Sequence, residues 1–207
     1  MHPWFPGHRA QESRLGRAAE VRHTTGDTAM RTLLDRPAAR PETGTWVLDP
    51  RTAVVGFRGR AHRFAPMVSA VFQGARGTLS LLDGGQGSVD VDVDVASLTT
   101  GCPAYDEVLA RVDPFDAGRH PVARFCSTRV AWSEGAAVVD GTLSAGGGSA
   151  PVTLSGTYRT TGERTVLQAR GTVDRRALGL SVDVPGLGLL LPARLDLHVD
   201  VHAVRAP

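Results

Sequence analysis

Every second residue of Ser88–Val95 is a valine, so Val89, Val91, Val93 and Val95 share one face and Asp90, Asp92 and Asp94 the other. That period of two belongs to a β-strand with one face buried and one in water. Near the C-terminus Leu195, Leu197, Val199 and Val201 alternate in the same way with Asp196, His198, Asp200 and His202. Six further segments, 45–59, 67–82, 124–133, 136–144, 152–160 and 165–174, also read as strands and end at Gly, Asp or Ser turns. The total is about eight strands, and connections too short for a parallel crossover make neighbours antiparallel. The prediction is an all-β chain closed into an antiparallel barrel. Repulsion between carboxylates further predicts that the Asp90–Asp94 and Asp196–Asp200 segments are not paired with each other.

One segment departs from this period. In Gly101–Val112, Pro103 suits a first helical position, and Tyr105, Val108, Leu109 and Val112 fall at i, i+3, i+4 and i+7. A short amphipathic helix is therefore expected after the third strand, with its apolar face laid over an open barrel end as a plug or lid. Residues 1–45 carry Arg, Pro, Gly, Thr and Glu, and their one amphipathic stretch, around Ala29–Leu34, is too short to stand alone as a helix. They read as a disordered or loosely ordered extension, and 46–207 as the barrel domain. A membrane-surface helix in the extension would need more large apolar residues than it has.

Composition narrows the function. A chain of 207 residues with 42% hydrophobic content fits one core, and no apolar run approaches the roughly 20 residues that span a bilayer. No stable membrane insertion is expected. Every basic charge is arginine, with seven Arg against five acids up to Thr45 and sixteen of each from Trp46 onward. A neutral barrel has no electrostatic footprint for nucleic acid. No secretory h-region is visible near Met1, so the expected compartment is the cytoplasm. Cys102 and Cys126 form neither a Cys-x-x-Cys motif nor a His-paired set, so no metal, redox or cofactor site is spelled out.

Sharper chemistry has plainer explanations. Asp196, His198, Asp200 and His202 share a strand face on which neighbours lie roughly 7 Å apart, too far to converge on a metal without help from another strand. A solvated face explains them and the aliphatic residues opposite. Ser149 after Gly146–Gly148 is not in a Gly-x-Ser-x-Gly setting, and 84–87 lack the spacing of a phosphate loop; both runs read as turns. His62 and His120 are lone histidines near turns, and Cys126 beside Phe125 reads as a small buried hydrophobe.

The order of the pieces resembles the YceI-like family. The opening Trp46, Asp49 and Pro50, the Ser97 and Thr100 turn, the helix residues Asp106 and Leu109, and Phe115–Asp116 stand in sequence. After them come His120, Pro121, Phe125, Ser127 and Thr128, the Gly141–Leu143, Gly146 and Pro151–Val152 hairpin, and Arg175 with Gly179 and Leu180. Tyr105 and Leu178 stand where the family usually has Arg and Phe. The resemblance spans nearly all of 46–205 and implies a lipocalin-like barrel around an elongated apolar cavity, binding a polyisoprenoid, isoprenoid quinone or similar long amphiphile without catalysis.

Within such a barrel the bulky inward residues are expected to be Phe57, Phe72, Phe115, Phe125 and Trp132 among small aliphatics, leaving an open cavity. Tyr105 and Leu109 would touch the ligand from the lid, and Arg60, His62 or Tyr105 would hold its polar end at the mouth. No cofactor is called for. The alternative is a self-filled barrel that acts as a protein interaction module, with the extension as its partner arm; cavity volume separates the two. An enzyme would need polar groups converging inside the barrel, for example Ser127, Thr128 and His62. A homodimer is expected, because apolar barrel rims seek cover.

Overall fold

The computed structural model describes residues 43–60, 67–82, 86–133, 135–180 and 192–207. The extension up to residue 42, His62 and Arg63 lie outside them. Among the described residues eleven strands follow in order: β1 (Gly44–Leu48), β2 (Val54–Gly59), β3 (Val68–Gln73), β4 (Arg76–Leu81), β5 (Gly87–Asp94), β6 (Leu98–Thr99), β7 (Val122–Ser133), β8 (Ala136–Ala145), β9 (Gly148–Thr161), β10 (Arg164–Asp174) and β11 (Arg194–Arg205). Helix α1 (Pro103–Val112) separates β6 from β7. All pairings are antiparallel, and β1 pairs with both β4 and β11, which closes the ring β1-β4-β5-β7-β8-β9-β10-β11.

Eleven strands make eight staves because three staves are broken at one corner. β11 pairs with β1 through Ala203–Arg205 and with β2 through Asp196–Asp200, so β1 and β2 are successive halves of one stave. β3 and β4 likewise flank a break at Gly74–Ala75, and β5 and β6 flank a single 3₁₀ turn over Val95–Ser97. The breaks lie side by side, and their buried residues Ala53, Ala75 and Val95 fill the bend. Polar bonds fix it. Asp49 accepts from the Arg51 N–H at 3.0 Å, its carbonyl accepts from the Thr52 and Ala53 N–H groups, and Ser97 Oγ accepts from the Gln73 N–H at 3.1 Å while donating to the Asp94 carbonyl.

The expected alternation governs what faces inward. Val89, Val93, Leu195 and Val201 are buried, whereas Asp92 and Asp94 are exposed. The acidic row of β5 meets β4 and β7, not β11: Asp92 lies opposite Arg76 and Arg124 and is 3.4 Å from the Arg124 guanidinium. On β11, Asp196 lies opposite Arg58 and His198 opposite Arg170. Asp92 and Asp196 thus face arginines, as unlike neighbours on a wet face favour, whereas the His198–Arg170 pair sets two basic side chains together.

The helix forms as its sequence requires but only half-buries its stripe: Val108, Leu109 and Val112 are half-buried and Tyr105 is exposed. Pro103 occupies its first turn, and Asp113, in the left-handed region at φ 42°, ends it by donating its N–H to the Leu109 carbonyl. None of its ten residues is buried, and Tyr105 is 56% exposed. What anchors it is polar: Asp106 accepts from Thr99 Oγ1 at 2.8 Å, the Thr100 N–H at 2.7 Å and Thr100 Oγ1 at 2.6 Å.

Candidate ligand cavity

An elongated cavity of about 130 Å³ runs inside the barrel. Leu48, Leu79 and Thr165 line it near the β9–β10 turn, and Phe72, Phe115 and Leu180 line it at the opposite end. Among the described residues its only polar lining side chain is Thr165; the others are aliphatic or phenylalanine. Such a volume is roughly ten times what a single water requires, yet the walls offer water almost no partners, so the space favours hydrocarbon.

Four phenylalanines narrow it. The rings of Phe57 and Phe72 are 6.2 Å apart, and Phe72 meets the edge of Phe115 at 5.6 Å, giving a row from β2 through β3 to the turn after α1. Phe125 enters from β7, two staves beyond that of Phe72, beside β8 where Gly141 offers no side chain. These rings make the passage narrower than the open cavity that a sparse aliphatic lining suggests.

The sequence-selected residues divide into three groups. Phe57, Phe72, Phe115 and Phe125 all line the cavity. Tyr105, Leu109 and Trp132 do not: the helix that carries the first two buries none of its residues, and Trp132 packs half-buried over Gly87 near the far rim. His62 lies outside the described residues. Ser127 and Thr128 are likewise absent from the lining; Ser127 Oγ accepts from the Val89 N–H at 2.7 Å beside a bulge in the β7–β8 register. Arg60 is exposed on the last described position after β2.

No residue of the helix lines the cavity; residues of the neighbouring turns do. Phe115, held between the left-handed residues Asp113 and Asp116, enters the barrel from the segment after α1. Leu178 and Leu180 enter beside it from the turn after β10. Arg175 holds that turn, donating from Nη1 to the Leu180 carbonyl at 3.0 Å and from Nε to the Pro192 carbonyl at 3.2 Å. The turn approaches the β8–β9 hairpin so closely that a Cβ at Gly148 would meet the Ala177 carbonyl oxygen at 2.5 Å. Sequence reading placed Leu178 and Leu180 in a family pattern but not in the cavity, since their inward placement depends on these distant contacts; it passed over Thr165, which faces inward by alternation with Leu167, Ala169 and Val173 along β10.

Ionisable groups sit outside the cavity. Hydrogen bonds from Thr100 and Thr99 hold the Asp106 carboxyl below the usual carboxylate range. Burial, with the Arg58 and Arg170 charges, lowers the pKa of His198 on the outer face. Cys102 and Cys126 are free thiols, both half-buried; Cys126 lies on the outer face of β7, and so is not the core hydrophobe its position beside Phe125 suggests. Among the described residues no cluster of His, Cys, Asp and Glu is arranged to hold a metal ion, and no helix is long and apolar enough to cross a membrane.

Comparison with known proteins agrees with this architecture. The YceI-like domain profile matches residues 46–203. BcnA of Burkholderia cenocepacia superposes with a TM-score of 0.65 at 21% identity, over 76% of this chain and 99% of that one. A polyisoprenoid binding domain from Saccharophagus degradans, implicated in plant cell wall breakdown, gives 0.58 at 14% identity, over 80% and 100%. The YceI protein of Campylobacter jejuni gives 0.60 at 17% identity, over 70% and 90%. A search of the curated proteins returned no match. With the profile reaching from the first strand of the closed barrel into its last, the chain belongs to the YceI-like family.

Proposed function

We propose that the barrel binds one long apolar amphiphile, of the polyisoprenoid, isoprenoid quinone or fatty-acid-like class, and carries or stores it without chemical change. The observation that carries this reading is the cavity lining: along the barrel it consists of hydrocarbon side chains with one threonine. Each buried CH₂ contributes roughly 0.8 kcal/mol; the cavity of about 130 Å³ takes about one benzene-sized group as it stands, so a chain of ten, worth about 8 kcal/mol before the costs of association, enters only as the lining side chains move apart. Polar contacts are then needed for selectivity more than for affinity. Phe57, Phe72, Phe115 and Phe125 would contact the chain directly, and the polyisoprenoid binding domain from Saccharophagus degradans has the same fold. A non-catalytic role suits a lining that, among the described residues, has no acid, base or nucleophile beyond the Thr165 hydroxyl.

The test is native mass spectrometry of gently purified protein, followed by organic extraction and identification of the released species. A stoichiometric prenyl, quinone or acyl compound is expected, and the same spectrum reads whether the protein is the expected homodimer. Protein that carries no added mass, and takes up none when prenyl and acyl lipids are offered, would instead support a self-filled interaction barrel.

A further inference from the structure

Two polar atoms inside the barrel are buried without a hydrogen-bond partner: Nε1 of Trp46 and the phenolic oxygen of Tyr158. Trp46 is 1% exposed and Tyr158 8%. Both belong to one end of the ring. Trp46 lies near the start of β1, opposite Arg205 and Leu79. Tyr158 lies near the end of β9, opposite Leu167, and its N–H is bound to the Gly135 carbonyl in the β7–β8 turn. Alternation places Tyr158 on the same face of β9 as Val152 and Leu154, which line the cavity. Thr165, 2% exposed, lines the cavity at this end and shares a 3.0 Å hydroxyl bond with Thr160.

An interior otherwise made of hydrocarbon thus gathers Trp46, Tyr158 and the Thr165–Thr160 pair at one end; Thr165 lines the cavity, whereas Trp46 and Tyr158 lie outside its present lining with their polar atoms unsatisfied. Buried polar atoms are nearly always paired, and each one left alone forfeits its full hydration. The chemistry of the three is one-sided. An indole N–H can only donate, and the Tyr158 hydroxyl donates readily; the Thr165 hydroxyl is free to donate when Thr160 donates to it. What they lack is an acceptor. No charged side chain lines the cavity among the described residues, and the cation beside Trp46, the Arg205 guanidinium 5.8 Å from its ring centroid, is exposed on the rim and donates to the Thr43 carbonyl, so a phosphate or carboxylate here would shed its water with its counter-charge left outside.

We propose that the Trp46–Tyr158–Thr165 end of the cavity is a polar station for an uncharged acceptor oxygen on the ligand, such as a ketone, quinone or amide carbonyl. The hydrocarbon chain then runs from this end toward Phe115. This rests on the apolar-ligand reading above and narrows its class to amphiphiles with a neutral, oxygen-bearing terminus.

The test compares hexadecane with hexadecan-2-one carrying a ¹³C carbonyl, each titrated into the full chain and into its Tyr158→Phe variant. The ratio of ketone to alkane affinity is expected to fall about three- to tenfold in the variant, the range of one net hydrogen bond, with the alkane affinity unchanged. The infrared band of the bound carbonyl should lie below its position in alkane solvent, and shift back toward that position in the variant. Hexadecyl phosphate should fail to displace the ketone. A ratio unchanged by the substitution, a carbonyl band at the alkane-solvent position in the parent protein, or displacement by the phosphate would each overturn the station. If hexadecane binds while the station fails, apolar binding stands by itself; if neither probe binds, both readings fall.

Discussion

The ring of Phe125 on β7 occupies the space that a side chain at Gly141 on β8 would need. A Cβ at position 141 would come to 2.5 Å from Phe125 Cζ and 2.6 Å from the Cys126 carbonyl oxygen. The ring could rotate, but the carbonyl belongs to the β7 ladder and cannot move far. Gly141→Ala should therefore cost about 1–3 kcal/mol, the usual penalty for overpacking a filled interior. A thermal melt should fall by several degrees, and an unchanged melt would mean that the ring and ladder give way more easily than close packing allows.

Phe115 seals the barrel end opposite Trp46, and it reaches there from a turn and not from a strand. Phe115→Ala should destabilise by about 3–5 kcal/mol, since the edge contact with Phe72 and the filling of that end are both lost. The denaturation midpoint in urea should drop with little change in slope, because the strands around the void stay paired. Under the proposed function, the variant should also accept a chain bulkier than the parent protein tolerates. A loss under 1 kcal/mol would show that the neighbouring Leu178 and Leu180 close the end without it.

The barrel was legible because each stave repeats with period two, so the inward positions of Val89, Val93, Leu195 and Val201 follow from counting. Phe57, Phe72 and Phe125 are inward for the same reason. The corner at Ala53, Ala75 and Val95 was not legible, since each half-stave keeps its alternation and the break is defined only by alignment with its neighbours. The 3.6-residue stripe of α1 gave the helix, but a stripe does not name what it faces. Here polar bonds from Thr99 and Thr100 hold the helix and leave Tyr105 in water. Thr165 acquires meaning only from the cavity beside it, and Tyr158 and Trp46 only from polar atoms buried without a partner; no local pattern encodes either.

If α1 is tied down by Asp106 and contributes nothing to the cavity, its two roles can be separated. Asp106→Asn removes a carboxylate that accepts three bonds, so the Thr100 amide should exchange with solvent faster. The folded-state pKa of Asp106 lies below its ordinary value, so its contribution is present above about pH 4 and fades as acid protonates it. Tyr105→Ser should leave affinity for an apolar probe such as hexadecane within about twofold, as expected of a surface change remote from the site. A large loss of affinity in Tyr105→Ser would restore the helix as a lid.

His198 gives the fold a pH dependence of the opposite origin. Its ring lies over Gly56 on the outer wall, where a Cβ at position 56 would meet Cε1 and Nε2 at 2.7 Å, and its Nδ1 is buried without a partner. Arg170 lies opposite it and Arg58 is diagonal to it, with Asp196 and Asp200 two residues away along β11. Burial foremost, then the two arginines, lowers the folded-state pKa below the ordinary 6.5. On acidification the unfolded chain therefore takes up this proton first, and that uptake favours unfolding. Stability conferred by a neutral His198 should be full above about pH 6.5, decline as pH falls below it, and level off once the folded protein is also protonated. The difference in melting temperature between parent and His198→Gln should accordingly shrink or reverse between pH 7.5 and 5. Because the comparison is between two chains that share every other titrating group, parallel profiles would mean that the imidazole meets enough water to charge freely in the folded barrel.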